Sequence, residues 1–174
     1  MKKASLLIIV LTLIISYYSC ERDDICPEST PTTPSLIIDV FDFSNQENKK
    51  NVFGLLIVGA DRQDTDALPD YDIVSSNNLI LPLKTDENTT EYRLIKETVR
   101  GDDGLLTSGN EDVISINYSR REVFVSKACG YKTIFENVTL TIVDDEDNWI
   151  LSETPLNPNQ SVEDETSAHF NIFH

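Results

Sequence analysis

Three cysteines, two histidines and a surplus of carboxylates are the residues of this chain that could do chemistry. The cysteines stand at 20, 26 and 129, the histidines at 169 and 174, and Asp and Glu together number 30. Both histidines fall close to the last residue of the chain, so a Ser–His–Asp or Cys–His arrangement is poorly supplied. Cys129 precedes Gly130 and could be drawn as a nucleophile, but a disulfide accounts for it better in an exported chain. Glycine-rich phosphate loops, zinc-protease helix motifs and nucleotide fingerprints are absent from the sequence. Paired carboxylates acting on a glycan or a peptide stay open as an alternative, though nothing singles out two of the 30 acids. No catalytic residue is assigned, and a non-enzymatic protein is the expectation.

Cys20 carries the clearest chemical signal. Before it come a basic start, Met1-Lys2-Lys3, an apolar run from Ala4 to Ile15, and a more polar close from Ser16 to Ser19. This is the pattern of an export signal over residues 1–19. The apolar run is short for a bilayer span. A small transmembrane anchor continuing through Tyr17 and Tyr18 is the alternative, but acidic residues follow at once and no basic stop-transfer cluster does. In a lipoprotein signal, Cys occupies the first mature position, where its thiol accepts diacylglycerol. Cys20 directly after Ser19 meets that requirement. Tyr17 departs from it, standing where such signals usually carry Leu, and ordinary cleavage after Ser19 stays open.

Cysteine parity favours lipidation. An odd cysteine count in an exported chain leaves one thiol to explain. With Cys20 carrying lipid, Cys26 and Cys129 are left as an even pair for a disulfide in an oxidising compartment. Closing a loop of about a hundred residues contributes on the order of 4–5 kcal/mol in the chain-entropy model. Pairing of Cys20 with Cys26 is the rival and requires an unlipidated chain. With Cys26 fastened to Cys129, the free tether is residues 21–25, at most roughly 17 Å when extended. A cysteine-based metal site is disfavoured, because neither histidine sits at ligand spacing from a cysteine.

Acidic residues gather in two runs. Asp61, Asp64, Asp66, Asp70 and Asp72 lie within one loop, and Asp144-Asp145-Glu146-Asp147-Asn148 forms another. Ca²⁺ takes six to eight oxygen ligands, so Ca²⁺ at these loops is the one cofactor left open. Neither run has the ligand alternation and central glycine of an EF-hand. Solvated turns that keep sheet edges from pairing with other chains are the preferred reading. Three glycosylation triplets begin at Asn88, Asn117 and Asn137, with Asn117 in a strand pattern that makes a poor acceptor.

Charge narrows the partners. Removal of residues 1–19, with Lys2 and Lys3, leaves 12 basic residues against 30 acidic ones, a formal charge of −18. Such a body is repelled by phosphate backbones and anionic headgroups, which argues against nucleic-acid binding and against flat docking on a membrane. The expected partners are the membrane, through the N-terminal lipid, and an envelope protein or glycan.

The elements that must position these residues read as strands. Pro27 and the run Glu28 to Ser35 form an extended lead-in. Leu36 to Phe43 is β-branched and aromatic, with Ile37, Phe41 and Phe43 set against Asp42, and Ser44 to Asn51 reads as a polar turn. Val52 to Val58 is apolar throughout, as in a strand covered on both faces; Asn78 to Leu83 is a short strand ended by Pro82; Thr89 to Val99 alternates. The strongest hairpin pattern pairs Val113–Tyr118 with Val123–Ser126 through a turn at Ser119–Glu122. Val138 to Ile142 is another strand, with Trp149-Ile150-Leu151 as its return arm, and Ala168 to Phe173 is the last. No window shows a helical period. Eight or nine short strands predict an all-β fold, a single antiparallel β-sandwich over residues 35–174, with a small barrel as the alternative. Residues 20–34 would be the lipidated N-terminus and lead-in.

Cys20, Asp-Asp-Ile-Cys at 23–26, Thr32-Thr33-Pro34, Leu81-Pro82-Leu83 and the run Phe124-Val125-Ser126-Lys127-Ala128-Cys129-Gly130-Tyr131-Lys132 resemble a family of small Bacteroidota lipoproteins known as a domain of unknown function. The resemblance runs from the signal to the last strand. It implies lipid on Cys20, structural roles for Cys26 and Cys129, and no activity. Glu21-Arg22-Asp23-Asp24 is similar to the acidic signal that, in this phylum, directs lipoproteins to the outer face of the outer membrane. The implied location is the bacterial cell envelope, as an outer-membrane lipoprotein that is either periplasmic or surface-exposed.

Overall fold

The computed structural model describes residues 25–30 and 32–174. The predicted signal and Cys20 lie outside the described residues. The described residues divide into two compact units, one of residues 25–30 with 124–131 and one of residues 32–123 with 132–174.

The larger unit is built from strands, and no helix occurs among the described residues. In chain order they are β1 (Leu36–Asp42), β2 (Asn45–Lys49), β3 (Val52–Gly59), β4 (Val74–Ser76), β5 (Asn78–Leu81), β6 (Thr89–Arg100), β7 (Leu106–Ser126), β8 (Gly130–Ile142), β9 (Ser152–Pro155) and β10 (Phe170–Phe173). They make two five-stranded sheets. One runs β2-β1-β10-β9, with β5 also paired to β1, and the other runs β4-β3-β6-β7-β8. β1 and β10 pair in parallel, with Ile38 opposite Phe170 and Val40 opposite Ile172. β1–β5, β9–β10, β3–β6 and β6–β7 are antiparallel. Neither sheet closes on itself, and the fold is a β-sandwich.

The core lies between the two sheets. Leu36, Ile38 and Val40 of β1, Leu79 and Leu81 of β5 and Ile172 of β10 meet Leu55 and Ile57 of β3, Leu94 of β6, Ile114 and Ile116 of β7 and Phe135 of β8. From Leu55 to Val58, β3 is buried on both sides, whereas Phe53 is exposed. Its Leu56 and Val58 join Ile95 of β6 in a second cluster on the outer face, covered by Ala67 and Ile73 of the acidic loop. This explains the unbroken apolar run at Leu55–Val58.

Four local expectations are corrected. In β1 the inward residues are Leu36, Ile38 and Val40, not Ile37, Phe41 and Phe43. The register with β5, Leu36 opposite Leu81 and Ile38 opposite Leu79, selects that face, and shifting by one residue inverts every side chain. The polar stretch read as a turn at 44–51 contains β2, whose five residues are all exposed. A strand with no buried face leaves no apolar signature. The hairpin turn expected at Ser119–Glu122 does not form. β7 runs straight through to Ser126, the turn comes at residues 127–129, and Gly130, at φ +72°, opens β8. Ser119 and Arg121 are held by β8 instead, through the Glu136 carbonyl at 3.0 Å and its carboxylate at 2.7 Å. Finally, Trp149–Leu151 is not the return arm of β8. The chain leaves that sheet, the Leu151 N–H donates to the Phe173 carbonyl at 2.8 Å, and β9 pairs with β10.

Candidate functional site

The acidic loop between β3 and β4 is fastened to its own sheet by arginines. Arg93 projects from β6 and grips Glu111 of β7 through two bonds, Nε to Oε1 at 2.8 Å and Nη2 to Oε2 at 2.5 Å, while Nη1 reaches Asp64 of the loop at 2.8 Å. The Glu111 carboxylate, followed by Asp64, holds the Arg93 guanidinium firmly in its charged form against the opposing effect of burial. Arg100 binds Asp72 at 2.7 Å and the Asp64 carbonyl at 2.9 Å. Arg62 takes Asp66 at 2.8 Å. Four of the five aspartates, at 61, 64, 66 and 72, therefore lie within 4.0 Å of a cation. Among the described residues, no group of three or more His, Cys, Asp or Glu side chains is placed to hold a metal ion.

The second acidic run is a turn held by its own bonds and by Asn110, whose Nδ2 donates to the Asp147 carbonyl at 2.9 Å. The Asp145 N–H donates to Asn148 Oδ1 at 2.9 Å, the Asp147 N–H to Asp145 Oδ1 at 3.0 Å, and Asn148 Nδ2 to the Val143 carbonyl at 3.0 Å. The Asp145 and Asn148 side chains are occupied in holding the turn together.

Where the acidic loop leaves β3, it borders a shallow cleft of about 270 Å³ with Asp61, Arg62, Asp66, Lys84, Glu91 and Tyr92 in its wall. Leu68 and Pro69 give it an apolar side. Beneath it runs a chain of hydroxyls. The Lys84 N–H donates to Thr90 Oγ1 at 2.9 Å, and the Tyr118 hydroxyl donates to the Lys84 carbonyl at 2.9 Å. Thr90 must then be the donor in its 2.6 Å bond to the Tyr118 oxygen. The Tyr92 hydroxyl donates to the Pro82 carbonyl. Burial, aided by Tyr118 and Asp61, pushes this phenol up to about 12, so it stays a neutral donor. Arg62 stands between the two aspartates, 2.8 Å from Asp66 and 4.0 Å from Asp61, and Lys84 lies 3.9 Å from Asp61. Carboxylates bridged by a guanidinium suit the recognition of a polar ligand better than the division of labour between a general acid and a base.

The histidines serve the fold. The His169 backbone N–H donates to the Ile37 carbonyl at 2.8 Å, and the Ile37 N–H donates back to Nδ1 of the ring at 3.0 Å. Burial holds this imidazole below the usual histidine range. An open cleft of about 650 Å³ adjoins it, with Asp39, Asn157, Glu163 and Asp164 in the wall. The His174 ring packs edge-on against Trp149 at 5.5 Å and is likewise held low by burial. Both rings are neutral packing elements at neutral pH.

The smaller unit contains the two remaining cysteines. Cys26 and Cys129 are joined by a disulfide, with Cα atoms 4.8 Å apart and 103 residues of separation. The Cys129 N–H donates to Ser126 Oγ at 3.0 Å, which shapes the turn at 127–129. Phe124 and Tyr131 face each other edge-on across that turn, with ring centroids 5.4 Å apart. Sequence reasoning missed this pair because the two rings are seven positions apart. Their common signal was the Cys-Gly turn between them. It also missed Asp112 and Arg93, which carry no motif and are distinguished only by what they meet.

Residues 54–174, more than half of the chain, match the model of a Family of unknown function (DUF6452). The matched region begins downstream of Cys20 and Cys26. No curated protein and no solved structure matches the chain.

Proposed function

We propose that this chain, which belongs to the family of unknown function DUF6452, is a lipid-anchored, non-enzymatic binding or accessory module of a bacterial envelope, with Cys20 as the lipid acceptor. The observation that carries the reading is the Cys26–Cys129 disulfide. It accounts for two of three cysteines and belongs to an oxidising compartment. The thiol left over is the one that follows Ser19 at the end of a basic, then apolar, leader. The acidic charge fits a protein at a cell surface, in the outer membrane and facing either the periplasm or the exterior.

The cleft at Lys84 and Tyr92 is the binding surface in this reading. Its two cations, its carboxylates and its apolar side offer paired polar contacts to a glycan or a protein segment. Radiolabelled palmitate fed to producing cells should enter the protein and be lost in Cys20→Ala. Equal labelling of the two proteins would overturn the anchor.

A further inference from the structure

We propose that Ile25, Phe124 and Tyr131 form a docking patch that seats in the interfacial layer of the bilayer holding the Cys20 lipid. This deepens the lipid-anchor reading and rests on it. The three side chains belong to the smaller unit and face solvent, at 81 %, 55 % and 66 % exposure. Phe124 and Tyr131 are locked together edge-on at 5.4 Å. Ile25 adjoins Cys26, and the disulfide places Cys26 opposite Cys129, two residues before Tyr131. Five residues separate Cys20 from Cys26, a reach of at most roughly 17 Å. A lipid on Cys20 therefore brings its bilayer within reach of this unit.

Charge supports the same occupant. Residues 20–174 carry a formal −18, yet the described residues of this unit, 25–30 and 124–131, contain only Glu28 and Lys127 and sum to zero. The repulsion that keeps the rest of the chain off a membrane is weak at this patch, where the net −2 of Glu21, Arg22, Asp23 and Asp24 on the tether is the nearby charge in sequence. An aromatic pair with one phenolic hydroxyl is the composition that partitions to the level of lipid headgroups. The patch would set how the smaller unit stands on the membrane, while the lipid sets that it stays there.

The test uses residues 20–174 with Cys20 replaced by a hexahistidine tether, bound to nickel-chelating lipid in phosphatidylcholine vesicles. The zwitterionic lipid avoids repulsion of Glu21, Asp23 and Asp24. In Tyr131→Trp, the added indole emission, read against the buried Trp149 baseline of the parent, should shift to the blue. It should also be quenched roughly twofold by brominated acyl chains, as an interfacial aromatic is. Phe124→Ser in that background should reduce the quenching. Ile25→Trp is a second reporter should Tyr131→Trp fail to fold. Tethered protein whose added indole emits identically with brominated and plain lipid would overturn the docking. Because the tether replaces the lipid, this readout is independent of palmitate labelling, and the two proposals fail separately.

Discussion

The carboxylate of Asp112 holds the backbone at Trp149, 37 residues away: Oδ1 accepts the Trp149 N–H at 3.1 Å and Oδ2 accepts the Ile150 N–H at 2.7 Å. Asp112 is fully buried on β7. The Trp149 indole N–H donates to the Leu94 carbonyl of β6 at 3.2 Å, so side chain and backbone of Trp149 are tied to neighbouring strands. This is where the chain leaves one sheet for the other.

Asp112→Ala strands two buried amides, and an unmade buried hydrogen bond costs about 1–3 kcal/mol. A loss of about 3 kcal/mol or more is expected in urea unfolding of this variant, with Asp112→Asn, which keeps one acceptor, losing less. Equal midpoints for the parent and Asp112→Ala would show that other groups satisfy those amides.

Stability should fall on mild acidification. Burial depresses His169 and His174 below the ordinary value of 6.5, so the unfolded chain binds protons that the native chain resists. Their contribution is present above pH 6.5 and is lost as pH drops through the lowered native values. Asp112 and Glu153, pushed up by burial, act in the opposite sense. Their contribution is greatest below the ordinary carboxylate range and is lost as pH rises through the raised values. Melting curves between pH 7.5 and 5 should show a drop for the parent and a smaller one for His169→Gln combined with His174→Gln. The glutamine at 169 can still accept the Ile37 N–H. An unchanged slope in the double variant would assign the acid loss elsewhere.

Removing the disulfide should destabilise strongly. The loop it closes spans 103 residues, for which chain entropy predicts on the order of 4–5 kcal/mol. Cys26→Ser with Cys129→Ser should therefore melt on the order of 10 °C below the parent. A difference of a degree or two would mean that the reduced chain keeps its ends together without the bond.

The acidic loop should depend on arginine and not on a cation from solution. Arg93→Met removes bonds to Glu111 and Asp64, with an expected loss of about 2 kcal/mol. It should also speed protease nicking within residues 60–73. A chelator should leave the melting temperature of the parent unchanged. A clear drop with chelator, restored by Ca²⁺, would overturn this account of the loop.

Much of the architecture was legible because it is local. The apolar run at Leu55–Val58 announced a strand buried on both faces, and the alternation at Ile114, Ile116 and Tyr118 announced one buried face. The turn was misplaced because Ser119–Glu122 resembles a turn in composition, while its partners on β8 hold it extended. β2 was invisible because it buries nothing. The cleft was half legible. Its aspartates stood out in the loop, but Lys84, Thr90, Tyr92 and Tyr118 came together only through strand pairing.

By itself the sequence determined the β class, the acidic surface and the candidate roles of the three cysteines, because periodicity, charge and parity are sums over neighbouring or counted residues. Only the tertiary structure decided which face of β1 is inward, where β7 turns, how Asp64 and Asp72 meet Arg93 and Arg100, and that Asp112 holds the chain at Trp149 where it leaves for the other sheet. Those are encounters between residues far apart in the chain. Their energies depend on register and burial, which no local pattern encodes.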